Sequence, residues 1–141
     1  MAIYTSTAAQ AAVQPKGLRV GLVAVKSTFS IAVTLSAGDV FQMIKVPANA
    51  TPVFVQFGSN NGTPSYNMAV GDGITVGRYR SDASYSAAQG MLEAYVNTAA
   101  TTPYTYSQDD TIDITLSTIT ASNASFGGAF YMNAIFSMDA S

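Results

Sequence analysis

The sequence predicts an all-β fold, an antiparallel β-sandwich behind an extended N-terminal arm, and three observations carry that expectation. Apolar residues recur with period two over several short stretches, the spacing that gives a strand one buried face and one wet face. Charged residues are only 10% of the chain, against roughly 25% in ordinary soluble domains. Thirty Ser and Thr residues, with Asn, Gln and eight Tyr, supply the polar surface instead, and that palette favours strands and turns over soluble helices. At 141 residues the chain fits one domain. A chain of about that size buries roughly 70% of its unfolded surface and needs no covalent staple.

Residues 1 to 17 lack strand alternation, and Pro15 stops any long amphipathic helix, so this stretch reads as an arm and residues 18 to 141 as a single sandwich. Leu18, Val20 and Leu22 share one parity and suggest a first strand; Phe29, Ile31, Val33 and Leu35 suggest a second. Ser36-Ala37-Gly38-Asp39 is a turn by composition, after which Val40 to Val46 is apolar on both parities except at Gln42 and Lys45, as in a buried strand. Asn49-Ala50-Thr51-Pro52 leads into a strand over Val53 to Phe57, and Gly58-Ser59-Asn60-Asn61-Gly62 carries a strong turn signal. Tyr66, Met68 and Val70 alternate up to Gly71-Asp72-Gly73, with Ile74, Val76 and Tyr79 resuming beyond it as a further short strand. The stretch Ser81 to Thr102 is compatible with a helical turn around Ala87 to Ala94 or with a strand, and a strand from Gly90 to Val96 is favoured. Ile112, Ile114 and Leu116 alternate with Asp113, Thr115 and Ser117, which places Asp113 on a solvated face. After Gly127-Gly128, the residues Phe130, Met132, Ala134 and Phe136 form one face of a last strand, while Tyr131 and Ile135 make the other face semi-apolar and a candidate subunit contact. About eight or nine short strands separated by Gly, Asn, Pro and Ser turns imply two sheets packed face to face, jelly-roll-like or a related sandwich.

The net charge is −2, unevenly distributed: the first 45 residues are +3 and the remainder −5. The six cations are scattered rather than clustered, so no nucleic-acid footprint is expected. No apolar run approaches the roughly 20 residues of a membrane-spanning helix, and Met1 to Gln14 lacks the cationic start and apolar stretch of a secretion signal. Synthesis and folding in a cytoplasm is the corresponding expectation. The chain contains no Cys and no His, which removes disulfides, the thiol nucleophile, the commonest general base and the commonest metal ligand.

The remaining candidates for chemistry are carboxylates. Asp109, Asp110, Asp113 and Glu93 are the only material for a glycosidase pair, but Asp109-Asp110 sits in a turn, where Asp commonly bonds backbone. Asp39, Asp72, Asp109 and Asp110 lie in loops without the spacing of a calcium loop. Gly71-Asp72-Gly73 lacks the third glycine, the Lys-Ser/Thr pair and the helix of a phosphate-binding loop and is read as a tight turn. Arg78-Tyr79-Arg80 is read as a packed tyrosine flanked by arginines that are solvated or paired with Asp82. No catalytic residue, cofactor or metal site is expected. Tyr66, Tyr79, Tyr85, Tyr95, Tyr104, Tyr106 and Tyr131 leave a carbohydrate-binding sandwich as an alternative, which the absence of Trp weakens.

In order along the chain, Gly38-Asp39-Val40-Phe41-Gln42-Met43-Ile44-Lys45-Val46-Pro47, then Val70-Gly71-Asp72-Gly73 before Arg78-Tyr79, then Asp110-Thr111-Ile112-Asp113-Ile114-Thr115-Leu116 resemble tailed-bacteriophage capsid decoration, or cement, proteins. The resemblance spans residues 38 to 116. It implies a non-enzymatic virion protein on the capsid exterior, bound to the major capsid protein, often as a trimer, and bridging neighbouring subunits. A tail, fibre or baseplate component is the alternative within the same kind of particle. No site residue transfers from the resemblance. The arm itself supplies candidate docking contacts: Ile3, Tyr4, Gln10, Val13, Gln14 and Lys16, with Arg19 just beyond it.

Overall fold

The computed structural model describes residues 1–10, 21–31, 34–59, 66–85, 92–96, 104–119 and 128–138. In chain order the elements are β1 (Ile3–Thr5), a one-turn helix α1 (Thr7–Gln10), β2 (Gly21–Ser30), β3 (Val40–Val46), β4 (Ala50–Ser59), β5 (Tyr66–Asp72), β6 (Arg80–Tyr85), β7 (Leu92–Val96), β8 (Asp110–Ile119) and β9 (Ala129–Met138). They form two sheets, ordered β1-β3-β8-β5-β6 and β2-β9-β4-β7. Four antiparallel pairs nest inside one another: β2 with β9, β3 with β8, β4 with β7, and β5 with β6. The chain is thus one long antiparallel hairpin, folded over so that β9 also pairs with β4 and β8 with β5. That is the jelly roll. Its outermost rungs are β2–β9, and its reversal lies between β5 and β6.

The core lies where the inward parities of the two sheets meet. Ile112, Ile114 and Leu116 of β8 face Phe130, Met132, Ala134 and Phe136 of β9, each at most 1% exposed. In β3 the register shifts between Gln42 and Ile44, and the extra residue lets Met43 and Ile44 both be buried beside Phe41 and Val46. The apolar character of that strand on both parities is thereby explained. Pro52 falls within β4, where a register irregularity between Pro52 and Phe54 accommodates the missing donor. The turn before β3 closes through a hydrogen bond from Asp39 N to the Ser36 carbonyl, 3.2 Å. Gly38 takes φ +91° there, a conformation that glycine adopts without steric cost.

Three sequence expectations change. The two strands expected around Leu18–Leu22 and Phe29–Leu35 are replaced by one continuous β2, paired with β9 along its full length from Gly21↔Met138 to Ser30↔Ala129. Because Phe29 points inward, period two brings Val25 and Val23 inward and turns Leu22 out to 70% exposure. Leu-Val-Ala-Val is apolar on both parities, so the sequence alone did not choose. Leu18, Val20 and Val33 lie outside the described residues. Second, Ile74 and Val76 are in a loop and not a strand. Third, Asp113 is buried at 5% exposure.

At the β3 edge the chain's first residues add β1 in parallel, Ile3↔Val40 to Thr5↔Gln42. Ala2 N donates to Asp39 Oδ1 at 3.0 Å and Val40 N to the Ala2 carbonyl at 2.9 Å. The buried Ser6 hydroxyl donates to the Met43 carbonyl and accepts from Ser27 Oγ at 2.9 Å and from Ala9 N at 3.2 Å, so that it caps α1 while tying β3 to β2. Tyr4 stacks on Phe41 with centroids 4.9 Å apart, and Phe41 in turn meets Phe29 at 5.2 Å and Phe130 at 4.8 Å. This aromatic column closes the mouth between the two sheets. Phe41→Ala is expected to cost about 3–5 kcal/mol by opening a cavity at its centre. Tyr4→Ala should cost less, about 1–2 kcal/mol, since its ring is half-buried. Urea unfolding with an unchanged m-value measures both, and equal midpoints for Tyr4→Ala and wild type would remove β1 from the cooperative unit.

Candidate functional site

The most elaborately braced feature among the described residues is the reversal between β5 and β6. Gly71 lies where a side chain has no space: a Cβ there would sit 2.2 Å from the carbonyl oxygens of both Thr75 and Val76. The chain therefore folds back onto its own strand directly after Gly71. Asp72 then organises the loop. Its Oδ1 accepts from Ile74 N at 3.0 Å and Thr75 N at 2.7 Å. Its Oδ2 accepts from Arg78 Nε and from the Tyr106 hydroxyl, the latter at 3.0 Å. Backbone bonds from Asp72 N to the Thr75 carbonyl (3.0 Å) and from Tyr79 N to the Val70 carbonyl (2.9 Å) close the loop.

From that carboxylate the bracing spreads outward. Arg78 reaches Thr75 Oγ1 at 3.0 Å and lies 3.5 Å above the Tyr104 ring, a cation–π contact. Tyr79 and Tyr106 share a buried hydroxyl–hydroxyl bond, and Tyr104 packs edge-on against Tyr106 at 5.0 Å. Tyr106 also exchanges backbone bonds with the start of β4, from Asn49 N at 2.7 Å and to the Ala50 carbonyl at 3.0 Å. Arg78 thus pairs with Asp72, and Tyr79 is packed at 7% exposure, while the Asp82 side chain lies outside the described residues. Burial pushes the Asp72 carboxyl up, but the bonds from Arg78, Thr75, Tyr106 and Ile74 outweigh it and hold the group below its ordinary value. Burial pushes the Tyr106 hydroxyl far above the tyrosine range, so it stays a proton donor to Asp72. What the loop presents is apolar: Ile74 is 63% and Val76 53% exposed.

The other loop acids are likewise committed to backbone. Asp39 Oδ2 accepts from Ser36 N at 2.8 Å, Asp109 Oδ1 from Ala48 N at 3.0 Å, and Asp110 Oδ1 from its neighbour Thr111 N at 2.8 Å. No group of three or more metal-ligating side chains gathers among the described residues, and the Glu93 side chain lies outside them. Asp113 is the exception to the pattern. It sits opposite Gln42 on one side and Gly71 on the other, so the folded-back loop covers it, and its Oδ1 has no partner. Desolvation, with weaker repulsion from Asp110 and Asp72 and a partly offsetting bond from Thr111, pushes its pKa up to about 7.

The candidate docking residues are distributed as follows. Ile3 and Tyr4 are both on β1, with Ile3 58% exposed and Tyr4 packed into the aromatic column. Gln10 ends α1. Val13, Gln14, Lys16 and Arg19 lie outside the described residues. A second surface extends the face of the last strand that Tyr131 and Ile135 marked as a candidate subunit contact: on the outer face of the β2-β9-β4-β7 sheet, Ala24, Ile135 and Phe54 stand in register, beside the exposed Leu22. A shallow recess of about 240 Å³ opens there, lined by Ala24, Lys26, Phe54, Asn133 and Ile135.

The two buried acids act on stability in opposite directions and in separate pH windows. Asp72, with its pKa lowered, contributes stability that is present above the ordinary value of 3.8 and is lost as pH falls below it. Asp113 is raised from 3.8 to about 7. Between those values the unfolded chain is ionised while the folded chain still holds its proton, so stability falls as pH rises from about 4 to about 7 and is level above, a loss of roughly 4 kcal/mol. Denaturant unfolding from pH 4 to 8 should show this decline in the wild type and little of it in Asp113→Asn. Parallel curves for the two proteins would show that Asp113 is not its source.

No family model matches the chain, and no curated protein matches it by sequence. Chains in solved phage capsid structures share its fold, among them the following three. A chain in the capsid of Ralstonia phage GP4 superposes with a TM-score of 0.77 at 16% identity, covering 99% of this chain and 100% of that one. One in the capsid asymmetric unit of cyanophage Pam1 gives 0.59 at 19% identity over 92% and 94% of the two chains. One in the acid-stable capsid of Helicobacter pylori bacteriophage KHP30 gives 0.57 at 14% identity over 85% and 89%. The likeness is one of fold, and it is a likeness of whole chain to whole chain.

Proposed function

We propose that this chain is a non-enzymatic structural protein of a phage virion, a decoration protein that sits on the outside of the capsid shell and stabilises it by bridging shell subunits. The observation that carries the proposal is the end-to-end match with a capsid chain, 99% of one against 100% of the other. The similar chain is thus matched over its full length and is about as long as this one. The order of turn and strand motifs from Gly38 to Leu116 supports the same reading. So does the use of the loop acids: Asp39, Asp72, Asp109 and Asp110 each accept a hydrogen bond from backbone.

The N-terminal segment is the proposed grip on the major capsid protein, and the protein acts as a homo-oligomer, with a trimer favoured. Tyr4 anchors the segment to the sandwich, while Ile3 projects from the sheet edge and Lys16 and Arg19 belong to the +3 part of the chain, suited to an acidic shell surface. Mass spectrometry of virions should find hundreds of copies per particle, and a reconstruction should place them on the shell exterior. A handful of copies at the tail or a vertex would replace the decoration role with a tail or baseplate one. Ile3→Asp combined with Lys16→Glu and Arg19→Glu should lower occupancy on purified capsids at least tenfold without lowering Tm. Unchanged occupancy would remove the segment from the interface.

A further inference from the structure

Ile74 and Val76 are among the most exposed large aliphatic side chains described, yet the loop that carries them is among the most tightly held parts of the molecule. Exposed aliphatics on a loose loop tip need no explanation. On a loop fixed by a buried carboxylate, an arginine stacked on an aromatic ring and a glycine without room for a methyl group, they form a preorganised knob. A knob of this kind loses little conformational freedom on docking. Its rim is acidic: Asp110 Oδ1 lies 3.1 Å from where a Cβ of Gly73 would be, and Asp109 is next to it, exposed. Lys45 offsets part of that charge in the adjoining cavity. Arg78 adds none, being paired with Asp72.

The recess on the outer face of the β2-β9-β4-β7 sheet has the complementary character. Ala24, Phe54 and Ile135 give it apolar walls, the exposed Leu22 extends them along the sheet edge, and the exposed Lys26 puts a cation at its rim. At about 240 Å³ it is smaller than the roughly 300–1,000 Å³ of small-molecule sites. Its size suits a side chain better than a ligand. Knob and recess lie on different faces of one molecule, so a contact between them is heterologous, running head to tail, and closes as a ring when the rotation permits.

We infer that the chain self-associates through this pair: the Gly73–Gly77 loop of one copy seats Ile74 and Val76 in the Ala24–Phe54–Ile135 recess of a second copy, with Lys26 facing Asp110 across the rim. The inference rests on the homo-oligomer named above and not on the capsid assignment. Sedimentation velocity of the purified full chain, with Tm as a folding control, tests it. The wild type is expected to be oligomeric, and Ile74→Asp with Val76→Asp, or Ile135→Asp alone, should weaken association about 100-fold or more at unchanged Tm. Lys26→Glu should weaken it about tenfold, and adding Asp110→Lys to Lys26→Glu should restore it to within about threefold of wild type.

Mixing the knob variant with the recess variant isolates the head-to-tail geometry. Each retains one intact half, so the mixture should form a one-to-one dimer and nothing larger. A monomeric wild type would overturn both the oligomer and this contact while leaving the capsid reading intact. Variants as oligomeric as wild type would overturn the contact alone, and if those same variants lost capsid occupancy, the loop would belong to the shell interface instead.

Discussion

The Asp72 carboxylate holds the point on which the whole fold turns. In a nested hairpin every rung depends on the reversal at its tip, and here that reversal runs from Gly71 to Tyr79 between β5 and β6. Asp72 fills it with acceptor capacity: four donors converge on its two oxygens, two from the loop's own backbone, one from Arg78 and one from Tyr106. The Tyr106 bond matters beyond the loop. Through Tyr106, the reversal is tied to the start of β4 and to the segment entering β8, so one carboxylate brings together three stretches that are distant in sequence. A buried charge of this kind is tolerable only when each of its lone pairs is occupied, and the low charge content of the chain makes the others follow the same rule. Asp39, Asp109 and Asp110 each accept from a backbone N–H in or beside a turn. The acids whose side chains are described are mostly turn builders, which is why a sequence with few charges still spends several of them in loops.

Asp113 breaks that rule, and the reason lies in the same reversal. Gly71 pairs with Asp113 across β5 and β8, and the absent Cβ at Gly71 lets the Thr75 and Val76 carbonyls close over the strand. The loop that Asp72 fixes thereby buries Asp113 on what would otherwise be the wet face of β8. One acid is held ionised by the loop and the other is pushed toward its neutral form by it. The two shifts are opposite consequences of a single backbone path.

What was legible in the sequence follows from this division. Period two alone placed Ile112, Ile114, Leu116, Phe130, Met132 and Phe136 in the core, because in those strands apolar residues occupy one parity with polar ones between. The turn at Ser36–Asp39 and the tight turn at Gly71–Gly73 were legible because Gly and Asp there serve local backbone needs. Three features were hidden, each for a physical reason. The inward parity of β2 is set by its register with β9, a long-range fact that Leu22-Val23-Ala24-Val25, apolar on both faces, cannot express. The burial of Asp113 comes from a loop folding over its strand. Ile74 and Val76 alternate as in a strand, but the donors that a ladder would use are taken by Asp72. The sequence signal was present in the Gly-Asp-Gly that precedes them, since an Asp two residues before Ile74 competes for its N–H.

The N-terminal strand shows how the sandwich manages its edges. A single carboxylate, Asp39, holds both the Ser36 turn and the Ala2 backbone, so the turn that aims β3 is also the clamp that receives β1. Parallel addition leaves β1 short, three residues, and a short edge strand offers little template for further pairing. In the opposite sheet no described strand covers the outer edge of β2, which runs ten residues with Leu22 exposed beside an apolar outer face. A free monomer gains nothing from displaying an apolar sheet face while spending a buried ion pair on a rigid loop. A molecule that completes itself in an assembly gains both: the uncharged surface supplies area, and the fixed loop supplies a contact whose entropy is already lost on folding.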